Sequence, residues 1–199
     1  MMTIKINPIL NVANELFFKK KFKDAIECYD KILNEDPKNL SSLNNKGYAL
    51  SKLKDFDNAI KCYDSALEIY PDDVSVLVNK ISSLRKQKNL EQAIELCDKI
   101  LKNNGKYNIA LYHKERILFS LNKFEESILC CNDILNDYPD NGDVLFDKSC
   151  NLVMLSKTND ALNFLENAIS QGIQYKVKAK NSKSFEKLSN NVRFQKLIM

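Results

Sequence analysis

An all-α array of paired helices is the fold that this 199-residue sequence predicts. Three observations predict it. Strong apolar and small positions recur at a constant spacing of 34 residues, within each period they fall at helical spacing, and turn residues are scarce, with only 4 Gly and 4 Pro. Leu16, Leu50, Leu84, Leu118 and Leu152 form one ladder; Ile9, Leu43, Leu77, Leu111 and Leu145 form another, seven residues upstream. Ala25, Ala59, Ala93, Ser127 and Ala161 form a ladder of small residues, followed directly by Ile26, Ile60, Ile94, Ile128 and Leu162. Pro37, Pro71 and Pro139 mark the same period, with Gly105 in the remaining gap.

The period divides the chain into five units, 6–39, 40–73, 74–107, 108–141 and 142–175, and a tail, 176–199. In the first unit Asn7-Pro8 opens a helix with Pro in its first turn. The second unit is the clearest. Leu43, Gly47, Leu50 and Leu53 give a first helix, Lys54-Asp55 a polar break, and Phe56, Ala59, Ile60, Tyr63, Ala66 and Leu67 a second helix. Pro71 then stops that helix, and Asp72-Asp73 offers N-cap chemistry to the next. The small ladder has a steric cause, since two antiparallel helices approach closely only over Ala, Gly or Ser. In the third and fourth units Ile81 and Glu115 stand where the first two have Ala13 and Gly47, which predicts looser helix pairing there. The tail keeps apolar Ala179, Phe185, Leu188, Phe194 and Leu197 at near-regular spacing, as expected of a helical cap over the last unit.

Composition bounds the function. With 44% apolar and 28% charged residues the chain is neither disordered nor fibrous, and it is long enough to bury a core. Lys and Arg number 30 against 26 Asp and Glu, and 27 of the 30 are Lys, which is not the balance of a dedicated nucleic-acid binder. The units carry net charges of 0, −2, +4, −3 and −2, and the tail carries +6, so a Lys-rich tail touching nucleic acid or an acidic surface is one alternative. No apolar run approaches the ~20 residues that span a bilayer. Met1-Met2-Thr3-Ile4-Lys5 leads into Asn7, Pro8, Asn11 and Asn14, which interrupt any apolar run, so no export segment is expected. The six cysteines are therefore expected as free thiols and the chain as cytoplasmic.

Catalytic motifs are missing from the sequence: it has no G-x-S-x-G, phosphate-binding glycine loop or H-E-x-x-H, and one histidine, His113. The cysteine spacing follows the repeat and lacks C-x2-C pairs, so no zinc site and no cofactor is expected. The enzymatic alternative is a small thiol or redox protein using Cys150, or Cys130-Cys131, with His113.

The repeat resembles the tetratricopeptide repeat (TPR) family over about residues 6–175. The second unit matches its signature in Leu43, Gly47, Leu50, Ala59, Tyr63, Ala66 and Pro71, the first in Ile9, Ala13, Leu16, Ala25, Tyr29 and Pro37. The resemblance implies a right-handed superhelical α-solenoid whose first helices line a concave groove that binds partner proteins. It places Asn11, Asn45, Asn79, His113 and Asp147 on that groove, where an Asn can pair with the backbone of an extended peptide. It also sets each unit's groove residue beside the next unit's ladder residue. Asn14 then meets Asn45, Tyr48 meets Asn79, Ser82 meets His113, and Arg116 meets Asp147 as an ion pair. Lys52 and Lys86 fall at the rim and would favour acidic flanking residues. The clamp by which some members of the family hold a chaperone's C-terminal carboxylates would use Leu10, Asn14, Asn45, Ser75 and Asn79; the cations it requires are missing, so that partner is not expected. The resulting expectation is a non-catalytic protein-interaction scaffold, with no membrane and no nucleic-acid partner.

Overall fold

The computed structural model describes residues 6–199. Residues 1–5, on which the expectation of no export segment partly rests, lie outside the described residues. Among the described residues every regular element is helical. The chain forms two compact units, Met1–Asn103 and Asn104–Met199.

The first unit holds α1 (Ile6–Phe18), α2 (Phe22–Glu35), α3 (Leu40–Lys52), α4 (Phe56–Ile69), α5 (Val74–Gln87) and α6 (Leu90–Asn104), whose last residue crosses the boundary. Helices α1 to α4 each pack on the next, and α3 also touches α5, so these two first helices lie side by side. Their starts have the expected chemistry. The side chains of Asn39 and Asp73 accept from the backbone N–H of Ser42 and Val76, at 3.0 and 2.9 Å.

Every turn inside a helix pair is closed by one device that the periodicity did not disclose. Lys20, Lys54 and Lys88, and in the second unit Asn122 and Ser156, all adopt left-handed backbone with φ between 59° and 70°. The next residue's N–H then reaches back to a carbonyl of the last helical turn, as in Asp55 to Leu50 at 3.0 Å. The left-handed region costs a residue with a Cβ about 1–2 kcal/mol, and the repeat carries this strain in each unit. Lys54→Gly should therefore raise stability by roughly 0.5–1 kcal/mol after the entropy cost of glycine. A lower denaturant midpoint for the variant would contradict this.

The looser pairing expected of the third and fourth units is not found. Where the first two units set Ala13 or Gly47 against Tyr29 or Tyr63, the next two set Ile81 or Glu115 with Cys97 or Cys131, and all eight are buried. Volume has moved from the second helix of the pair to the first, so the space stays filled. The second unit of repeat shows why glycine is required in its arrangement: a Cβ on Gly47 would lie 2.6 Å from the Tyr63 ring.

The second compact unit holds α7 (Asn108–Ser120), α8 (Phe124–Asp137), α9 (Gly142–Met154), α10 (Thr158–Gln171), α11 (Gln174–Asn181), a 3-10 turn (Lys183–Leu188) and α12 (Val192–Ile198). Phe185, Leu188 and Phe194 are buried in one cluster with Phe146, Leu162 and Leu165, and Leu197 is half-buried against it. Phe185 and Phe194 stack with ring centres 5.3 Å apart. Helix α11 starts at Gln174, inside the fifth 34-residue unit, and its Tyr175 lies over Gly142 and stacks on Phe146. The tail's charge is partly spent in holding it down. Lys178 pairs with Asp143 at 2.6 Å, and Arg193 with Glu166 at 2.9 Å.

Candidate functional site

The 34-residue spacing brings groove residues of successive first helices together within the first compact unit. Asn45 Nδ2 donates to Asn14 Oδ1 at 3.1 Å, and the buried Tyr29 hydroxyl donates to the same oxygen at 2.8 Å. The juxtaposition expected of Asn14 and Asn45 is therefore a closed hydrogen-bonded triad. Asn11 is exposed on α1, one turn before Asn14. Asn79 Nδ2 donates to Asn44 Oδ1 at 2.9 Å, a partner that the ladder did not suggest.

Tyr48 and Asn79 also come together, and they do so around an opening. With Lys52, Tyr63, Ser82 and Lys86 they line a cavity of about 110 Å³ between α3 and α5. The Lys52 ammonium sits 4.9 Å from the centre of the Tyr48 ring. Neighbouring lysines are already neutralised, Lys46 by Asp30 and Lys80 by Asp64. Ser82 was among the groove residues that the resemblance implies, and Tyr63 was not. Tyr63 was read as core, and its ring is core, being wholly buried.

In the second compact unit Arg116 and Asp147 form the expected ion pair, at 3.0 Å, and the guanidinium also lies 4.5 Å from the centre of the Tyr112 ring. Burial works to lower the Arg116 pKa but Asp147 outweighs it, and the arginine stays firmly charged. Burial raises Asp147 by more than the arginine lowers it. His113 is half-buried, edge-on to Tyr112 with centres 6.4 Å apart.

Beside this pair, and unanticipated as a polar centre, lies Glu115, only 2% exposed. Ser127 Oγ and Asn151 Nδ2 donate to its Oε1, at 3.2 and 3.4 Å, while its Oε2 has no partner. Burial, and then the Asp147 carboxylate, push its pKa up to about 8. The cysteines proposed as a thiol centre are in the wrong environment for one. Cys130, Cys131 and Cys150 are buried, and none is in a disulfide. Burial pushes Cys150 up to about 12 and Cys131 higher, so neither supplies a thiolate near neutrality.

A family model described as tetratricopeptide repeat matches residues 8–39, and a second of the same description matches 41–73. The chain carries tetratricopeptide repeats. Solved structures share the fold. MamA from Desulfovibrio magneticus RS-1, residues 41 to the end, aligns at a TM-score of 0.79 with 15% identity, over 92% of this chain and 100% of that one. A tetratricopeptide repeat protein from Parabacteroides merdae aligns at 0.78 with 18% identity, over 99% and 84%. YrrB, described as a TPR protein with an unusual peptide-binding site, aligns at 0.71 with 18% identity, over 88% and 91%. No curated protein matches in sequence. Among the described residues no helix is long and apolar enough to cross a membrane.

Proposed function

We propose that this protein is a non-catalytic interaction scaffold that holds an extended peptide segment of a partner along the face made by α1, α3 and α5. The family supports an interaction role, and YrrB supplies a precedent for peptide binding on this fold. The observation that carries the reading is the convergence of Tyr48, Lys52, Asn79 and Lys86, from two successive repeats, on one donor-rich cavity. Asn45 and Asn79 each spend one amide N–H internally, and an amide has a second N–H and a carbonyl for a peptide backbone. Backbone-directed amides give modest affinity and broad tolerance, so sequence preference comes from a few side-chain pockets. Lys52 and Lys86 set that preference towards acidic residues.

The test uses peptides selected by display against the whole chain. Asn45→Ala with Asn79→Ala should weaken their binding by roughly 1–3 kcal/mol, since the amides are desolvated on binding. Each lost internal hydrogen bond also costs about 1 kcal/mol of stability, so affinities are compared where both proteins are fully folded. Unaltered affinity, or binding mapped to α2 and α4, overturns the reading.

A further inference from the structure

Two successive junctions of the first compact unit hold equivalent residues, and only one of them is closed. At the first, Tyr29 donates to Asn14, which also accepts from Asn45. At the second, 34 residues on, Tyr63 is the counterpart of Tyr29 and Asn79 of Asn45, but Tyr48 stands in place of Asn14. The acceptor has gone. The Tyr63 side chain is wholly buried, and its hydroxyl lies beside Ser83 without making a hydrogen bond of normal geometry. Ser83 Oγ is itself engaged with Ser51 at 3.0 Å. Phe17 and Phe18 have likewise become Ser51 and Lys52, which opens the cavity and makes it polar.

The cavity is rich in donors. Lys52, Lys86, Ser82 and the Asn79 amide line it with Tyr63, and no carboxylate does. Among the described residues neither Lys52 nor Lys86 has an ion-pair partner, in contrast to Lys46 and Lys80. Burial raises the Tyr63 phenol far above its ordinary range, so it stays protonated and its O–H needs an acceptor. A cavity of about 110 Å³ has room for a small polar group. A carboxylate with its adjoining carbon has that size, the missing acceptors and the opposite charge.

We propose that the cavity between α3 and α5 is a carboxylate subsite, taking an Asp or Glu side chain between Lys52 and Lys86 with the Tyr63 hydroxyl as its buried donor. The assignment rests on the groove reading above and names the residue class that the groove selects. Charge-assisted hydrogen bonds from two ammonium groups supply the attraction, and the phenol supplies the geometry.

The test is a titration of the whole chain, followed by amide NMR, with blocked single residues: N-acetylglutamate N-methylamide, its glutamine counterpart and the phosphoserine counterpart. The glutamate probe should shift the amides of Lys52, Asn79, Ser82 and Lys86 saturably, and the glutamine probe should not. Lys52→Gln with Lys86→Gln should weaken the glutamate probe at least about tenfold. Tyr63→Phe should weaken it roughly three- to tenfold while leaving the melting temperature unchanged or higher, because it removes a hydroxyl that has no hydrogen bond to lose. Equal responses to glutamate and glutamine, or full binding by either variant, overturn the assignment. Preference for phosphoserine by tenfold or more overturns it in favour of a phosphate site. The probes have no strand to lie along the groove, so their failure leaves the peptide reading to be decided by the Asn45 and Asn79 variant.

Discussion

Glu115→Gln should make the protein markedly more stable at pH 8 and above, and barely alter it near pH 4.5. In the folded chain the Glu115 carboxyl holds its proton up to about pH 8, against a usual value of 4.5. Because the folded state binds the proton more tightly, the group's contribution is intact below pH 4.5 and is lost progressively as pH rises towards 8. At about 1.4 kcal/mol per pH unit, the full loss is on the order of 3–5 kcal/mol. The physical cause is a carboxylate forced to ionise without water, next to the Asp147 carboxylate and with only Arg116 as a nearby cation. Glutamine has the same shape and no proton to lose. Its amide N–H groups can also meet Asn151 Oδ1, which has no partner in the native chain. Denaturant unfolding of both proteins from pH 4.5 to 9 measures the difference, and every other titrating group is common to the two. Parallel stability curves across that range would refute the assignment.

Removing residues 175–199 should have an effect of comparable or larger size. It takes away Phe185, Leu188 and Phe194, which are buried against Leu162, Leu165 and Phe146. Full burial of such side chains is worth roughly 1.5–3 kcal/mol each, so the three together approach the ~5–15 kcal/mol that stabilises a whole domain. The ion pairs of Lys178 and Arg193 go with them, although exposed pairs contribute little. The truncated chain should lose cooperative unfolding in its second compact unit and self-associate through the uncovered face of α9 and α10. Phe185→Ala provides a graded version, with a cost of about 3–5 kcal/mol. Light scattering and thermal unfolding check both. A clean monomer with an unchanged melting curve would show that the tail does not act as a cap.

Much of this molecule could be read from spacing alone. The 34-residue ladders fixed the helix pairs, because a residue's place in the period decides which neighbour it must face. The resemblance to the family, and not the ladders, set Arg116 beside Asp147, and the tail's own apolar spacing picked out Phe185, Leu188 and Phe194. Periodicity describes which positions are buried, and it does so without regard to what fills them. For that reason it misjudged Ile81 and Glu115, where a larger residue on one helix is offset by cysteine on the other.

The left-handed residue in each turn escaped for a different reason. Lys and Ser carry no sign of positive φ in their chemistry, Asn122 alone belongs to a type that favours it, and the closing hydrogen bonds impose it on all five. The candidate subsite was half visible. Tyr48, Asn79, Lys52 and Lys86 follow from the family's groove, whereas Tyr63 reads as core because its ring is core. By itself, then, the sequence determined the class of fold and the pairing of helices, since these depend only on apolar spacing. The tertiary structure decided which polar atoms found partners. Tyr29 is satisfied and Tyr63 is not, and Glu115 keeps its proton, because hydrogen bonding and desolvation depend on atoms brought together from helices distant in the chain.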